Sequence, residues 1–396
     1  MMTQAPDITQ GGQQTPVELP HSHRDVQYPP SEIPMSVRDW IIAGAIIAAV
    51  LVLGPMNWRR VEPLPAAASD YRIPYERSDD YWLFEQLARQ EARRGNVLVI
   101  GDSAVWGHYV PADATLSAQL NSQTGADRFA NLGVDGIHPA ALAGLIQYYG
   151  SPIAAGRVVL HCNLLWMSSP RHDLTGHKEF AFNHPRLVPQ LYPWIDCYGE
   201  GVSARLAVAV GRELPSSRLA HHLQVAYFDG ADIPAWTLDH PYVDPLAAIT
   251  LQPPEANADG LPPGVTEETW SQRQIGMLSP EWVDLESSFQ WRSFKRSVRL
   301  LRDRGNRVFV VIGPFNVHML QGAGLATYRQ RVEQAAAWLR QEGIAYWIAP
   351  ELPTDEYADA SHPLRAGYVR MAGQMLHDEA FAAFVSGGEH EKGSPR

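Results

Sequence analysis

The sequence predicts an α/β protein: a doubly wound parallel sheet with helices on both faces, a long insertion and one N-terminal transmembrane helix. Three observations predict it. Five short runs, apolar on both faces, alternate with amphipathic stretches of ten residues or more, as βα repeats require. That alternation breaks between Asn163 and Phe289, and an uncharged apolar run, Trp40 to Met56, precedes the whole.

Residues 1–39 are rich in Gln, Pro, Thr and Ser and carry almost no periodic apolar residue, so they read as a disordered tail. The apolar run that follows meets the ~17-residue minimum for crossing the hydrocarbon of a bilayer, and the span is assigned to 40–58. With no polar face anywhere along it, a membrane span is preferred to the alternative of a buried helix in a soluble domain. A cleaved signal peptide fits poorly. The leader is too long, and the small residues Ala66 to Ser69 lie past Arg59 and Arg60.

From Asp70 the βα pattern begins, and one domain is expected over 70–388, with a disordered tail at 389–396. Leu83, Phe84, Leu87, Ala88 and Glu91 recur at helical spacing, and Gly95 is a natural stop. The strand "VLVI" from Val97 follows, then "RFANLG" and a helix through Leu142, Leu145, Ile146 and Tyr149. "GRVVLHC" is the third strand; "RVFVVI" and "IAYWI" are the fourth and fifth. A helix through Trp291, Phe294, Val298 and Leu301 precedes the fourth strand, another from Leu325 the fifth, and one through Tyr368, Met371 and Met375 closes the chain. Between them, 164–289 is too long for a structureless loop. It reads as an insertion or cap with two helices, near Val202–Leu214 and Ser216–Tyr227.

Composition excludes some functions. Charged residues are 19%, the net charge is −11 and no dense Lys/Arg block occurs, so nucleic acid is not a partner. Cys162 and Cys197 cannot by themselves form a zinc site or a disulfide framework. His172, His177, His221 and His222 lack the context of metal ligands and read as surface or packing residues, so no metal and no cofactor are expected. Trp166, Trp194, Trp236, Trp270 and Trp282 either cover the core under the insertion or line a groove that stacks on sugar rings.

The chemistry sits at strand ends. In "VLVIGDSAVWG", Ser103 stands just past a buried strand, where ligands of open α/β sheets collect. Serine needs a base. "DASHP" places Asp359 and His362 three residues apart after the last strand, so one loop can present an imidazole to Ser103 and a carboxylate to its far nitrogen.

Taken together, "GDSAVWG", "NLGVDG", "HCNLLW" and "DASHP" resemble, in chain order, the four blocks of the SGNH (GDSL-type) hydrolase superfamily. The resemblance implies a nucleophile at Ser103, a triad completed by His362 and Asp359, and an oxyanion hole from the N–H groups of Ser103 and Gly133 and the side chain of Asn163. The third block departs from the family pattern, with His161 for the usual glycine and Leu164 for an aspartate.

One N-terminal membrane segment before such a domain is similar to the D-alanine transfer proteins of teichoic acid synthesis and to polysaccharide O-acetylation factors. "VFVVIGPFN" is similar to a strand end of the former. The expectation is a single-pass membrane protein with an extracytoplasmic catalytic domain, an esterase acting on acyl esters of an envelope glycan or on small esters. The flanking arginines, Arg38 before the span against Arg59 and Arg60 just after it, argue mildly for the opposite orientation. Two alternatives remain: an O-acyltransferase using the same triad alongside a membrane acyltransferase partner, and a non-catalytic scaffold of an envelope-assembly complex.

Overall fold

The computed structural model describes residues 36–64, 71–177, 182–252 and 261–387. The expected tails, apart from residues 36–39, and Ala66 to Ser69 lie outside the described residues. The chain divides into two units, 1–48 and 49–396. The described part of the first is the opening of helix α1 (Val37–Val61), whose 25 residues are long and apolar enough to cross a membrane.

The second unit contains the rest. Helix α2 (Tyr81–Arg94) starts where Asp80 accepts the Leu83 N–H and ends at Gly95 in the left-handed conformation. Strand β1 (Val97–Gly101) follows, then the short α3 (Ser103–Trp106), α4 (Leu116–Thr124), β2 (Phe129–Gly133), α5 (Pro139–Tyr149) and β3 (Arg157–Cys162). The insertion carries α6 (Val202–Gly211), α7 (Pro215–Tyr227), α8 (Ile233–Asp239) and α9 (Pro245–Ala248). Helix α10 (Phe289–Asp303), β4 (Arg307–Ile312), α11 (Gly322–Gln341), β5 (Ala345–Ile348), α12 (Arg365–His377) and α13 (Glu379–Ser386) complete the unit.

All five strands are parallel, in the order β2-β1-β3-β4-β5. Side chains alternate across the pleat, so each face buries its own core. Leu98, Ile100, Leu160, Val310 and Ile312 pack under α2, α5, α10 and α11. Val97, Val99, Val159, Phe309 and Val311 pack under α4, α12 and α13. The chain leaves β1 toward β2 on one side and later returns to place β3 on the other, which opens a crevice between the carboxyl ends of β1 and β3.

The insertion is built around cations rather than an apolar stripe. The buried guanidinium of Arg205 donates to the carbonyls of Gln190, Ile195, Tyr198 and Glu200, folding the irregular segment before α6 around itself. That segment docks on α5 at Gly144, where a Cβ would lie 1.9 Å from the Leu187 carbonyl oxygen. Three details differ from the sequence reading. The insertion carries α8 and α9 in addition to the two helices expected there. Helix α4 was not foreseen, because its polar run has no clear apolar stripe; Thr115 caps it and Leu116 and Leu120 anchor it. The closing helix is in fact two, since Asp378 ends α12 and caps α13 by accepting the Phe381 N–H.

Candidate active site

The crevice at the end of β1 requires glycine first. A Cβ on Gly101 would stand 2.5 Å from Val105 Cγ2 and 2.6 Å from His161 Cβ, so only glycine lets the chain turn there. Asp102 then caps α3 by accepting the Ala104 N–H, and Ser103 opens the helix at the crevice floor.

Ser103 and His362 are 259 positions apart in sequence, yet Ser103 Oγ lies 2.7 Å from His362 Nε2. His362 Nδ1 is 2.8 Å from both oxygens of Asp359. A carboxylate only accepts, so Nδ1 carries the proton and the Nε2 lone pair faces the serine hydroxyl. Asp359 also accepts the N–H groups of Ser361 and His362, which closes the loop into one fixed turn. From β4's end, Asn316 holds the same loop, with its N–H on the Ala360 carbonyl and its side chain on that of Asp359. The fragment "IGPFN" is therefore the support of the histidine loop.

Burial works against the charge on Asp359, but the imidazole and the two backbone donors outweigh it and hold the carboxyl at about 2. Burial likewise works against the imidazolium of His362, and the charge and hydrogen bond of Asp359 lift its pKa above the ordinary histidine value.

Asp102 is the hub beneath the serine. Its buried carboxylate accepts from Asn163 Nδ2 at 2.8 Å, Trp166 Nε1 at 2.9 Å, His161 Nδ1 at 3.0 Å and the Ala104 N–H at 3.1 Å. Burial opposes ionisation there, yet His161 and the Trp166 donor hold the group well below the usual carboxylate range. Asn163 is oriented from both sides, since its Oδ1 accepts the Leu165 N–H. One amide proton goes to Asp102 and the second remains for a ligand.

The oxyanion role expected of Gly133 is corrected by the geometry. Its N–H is donated to Asn131 Oδ1 at 3.0 Å. Gly133 is a packing glycine, because a Cβ there would lie 2.3 Å from the Trp106 backbone nitrogen. Farther along the same turn, Gly136 has φ of +67° and an N–H with no hydrogen-bond partner among the described residues, and the same is true of the Ser103 N–H.

Three residues beside the site were given no role in the sequence reading. His108 Nδ1 is 2.6 Å from Asp135 Oδ1, and the His108 ring lies 5.8 Å from that of His362, centroid to centroid. His161, which stands where the family has glycine, braces Asp102. The available signal was position: both histidines and Asp135 fall inside the quoted blocks or next to them.

The other expected candidates do not assemble. His222 is bonded to Asp80 and Glu62, His221 to the Asp79 carbonyl, His172 to Ser168 and His177 to Asp196; no cluster of metal-ligating groups occurs among the described residues. Cys162 and Cys197 are buried, free thiols. Of the five tryptophans, Trp166 joins the site. Trp194 lies under Arg205, Trp236 against Phe228, Trp270 on Thr354 and Trp282 against Phe315 and Tyr328, so they line no common groove.

The fold and site thus define an α/β protein with a serine, a histidine and an aspartate in a hydrogen-bonded chain at the carboxyl edge of a parallel sheet. No model of a known protein family matches the chain, and no curated protein matches it at a significant level.

Proposed function

We propose that the chain is a membrane-tethered serine esterase of the SGNH type, acting on acyl esters, with an envelope glycan as the carrier. The observation that carries this reading is the Ser103–His362–Asp359 chain, with 2.7 Å and 2.8 Å links. Ser103 attacks the ester carbonyl as His362 takes its proton, and Asp359 steadies the imidazolium. The proton then passes from His362 to the leaving alcohol, and water repeats the sequence on the acyl-enzyme. The developing oxyanion is met by the Ser103 N–H, the second amide proton of Asn163 and, in place of Gly133, the N–H of Gly136. In this reading the apolar run of α1 tethers the domain, and the resemblance to envelope acylation proteins favours the extracytoplasmic side.

A second reading, transfer of the acyl group to a sugar hydroxyl, is favoured by the His108–Asp135 pair. A second imidazole next to His362 is suited to orienting an acceptor hydroxyl in water's place.

The test is labelling of the full chain by a fluorophosphonate probe, with hydrolysis of p-nitrophenyl acetate measured alongside. Wild type labels and turns over; Ser103→Ala does neither. A folded wild type that takes no label would mark the protein as a scaffold instead. Acceptor-dependent acyl-glycan formation would choose transfer over hydrolysis.

A further inference from the structure

Where α1 leaves its apolar run, it meets α2 across a cavity of about 590 Å³ lined by Met56, Arg59, Arg60, Leu64, Gln86 and Arg89, with Gln90 and Arg93 at its edge. Four guanidinium groups share this space, and the carboxylate of Glu85 lies against two of them. Glu85 is buried and receives both Arg59, at 3.1 Å, and Arg89, at 2.8 Å. Arg60 and Arg93 are exposed and have no carboxylate partner among the described residues. Among the described residues, the cavity therefore holds two guanidinium groups, those of Arg60 and Arg93, with no carboxylate against them.

Its wall also holds unmet donors. Gln86 is 7% exposed, and its Nε2 has no hydrogen-bond partner. The buried Nε of Arg89 has none either. Both belong to residues that line the basic cavity, and buried N–H groups are costly to leave unpaired. The other half of the site comes from α1. Val52, Leu53 and Met56 are exposed apolar residues one to two turns before Arg59 and Arg60, so a phosphate held by the arginines leaves attached acyl chains lying along an apolar surface.

We propose that this cavity binds the phosphate of an anionic phospholipid, held by Arg59, Arg60, Arg89 and Arg93 with the Gln86 amide. The proposal rests on reading α1 as a membrane span. Lipid rather than free phosphate is the ligand, because the basic cavity and the exposed apolar face are continuous. Bound there, the lipid joins α1 to α2, the helix that packs directly against β1, and so fixes the domain at headgroup depth.

The experiment uses the full chain extracted in detergent, delipidated and titrated with phosphatidylglycerol, phosphatidylcholine or inorganic phosphate while bound species are counted by native mass spectrometry. Carbonate extraction of source membranes is run in parallel. Wild type should retain phosphatidylglycerol on the order of tenfold more tightly than phosphatidylcholine, and the R60A/R93A double variant should lose that preference. Both arginines are exposed, so the variant should melt with the wild type. Equal binding of the two lipids, a preference unchanged in R60A/R93A, or displacement of the lipid by inorganic phosphate at equal concentration would each overturn the proposal. Release of the wild type by carbonate would overturn the membrane reading and this site with it, whereas retention without lipid preference would sink this site alone.

Discussion

His161 and Asp102 form a buried pair directly beneath the nucleophile: His161 Nδ1 is 3.0 Å from Asp102 Oδ1, while Nε2 reaches the Gly313 carbonyl at 2.8 Å. Both ring nitrogens face acceptors. The imidazole thus ties the end of β1, through the residue before Ser103, to the end of β4, from which the histidine loop is held. A single side chain couples the two halves of the site.

Replacing it should separate positioning from binding. His161→Ala removes one of four donors to Asp102, and a hydrogen bond to a charged group contributes about 1.5–3 kcal/mol. The expected outcome is a kcat on p-nitrophenyl acetate lower by roughly ten- to a hundredfold, with KM little changed. A raised KM at unchanged kcat would show that His161 contacts substrate instead.

Asn163→Ala should cost more. It removes the donor proposed for the transition state and also strips Asp102 of its 2.8 Å partner. Loss of one oxyanion donor lowers kcat by about a hundredfold or more, and fluorophosphonate labelling should slow in proportion. By contrast, Gly133 offers no N–H to the site, and a substitution there should fail through misfolding, seen as lost soluble protein.

The pH profile follows from His362. The group must be neutral to accept the serine proton, and its pKa is raised by Asp359 against the pull of burial. kcat/KM should therefore climb with pH along a single acidic limb whose midpoint lies above the ordinary imidazole value of about 6.5. Asp359, held at about 2, stays ionised throughout and adds no limb of its own. Asp359→Asn should depress kcat by several orders of magnitude and shift the limb downward, since the charge that favours the imidazolium is gone. A limb at or below the ordinary value in wild type would contradict this account.

Stability should respond to pH through a second cluster. His222 is buried between Asp80 and Glu62, with Tyr227 and Trp58 also donating to Glu62. Burial pulls the imidazole's pKa down, but the two carboxylates outweigh it and carry the group up to about 9. A raised folded-state value contributes stability that is complete below the unfolded pKa of about 6.5 and is lost as pH rises through 9. Glu62 is shifted the other way: burial opposes its ionisation, and His222 with the hydroxyl and indole donors lowers it, so its share is lost toward acid. His222→Ala should cost about 3 kcal/mol near pH 6, leaving Asp80 and Glu62 unpaired, and distinctly less above pH 9.5. Thermal melts of both proteins at the two pH values measure this; an equal loss at both would exclude the ion pair as its source.

Much of the architecture was legible along the chain, because strands apolar on both faces and helices with one apolar stripe are local patterns. Val97 to Gly101, Phe129 to Gly133 and Arg157 to Cys162 announce themselves this way, as does Gly95 at a helix end. Ser103, His362 and Asp359 could be singled out from residue type and position after a strand, and the fold brings them within hydrogen-bond distance. What the local pattern could not reach was anything decided by which atoms meet across the crevice. Whether Gly133's N–H was available depended on where the Asn131 side chain turned, and the brace from His161 to Asp102 exists only because β1 and β3 are neighbours. Likewise the guanidinium of Arg205 organises the irregular stretch before α6 through carbonyls that no local pattern singles out. Apolar periodicity is written residue by residue because burial acts on each side chain separately, whereas hydrogen-bond partnership is a property of pairs brought close by the folded chain.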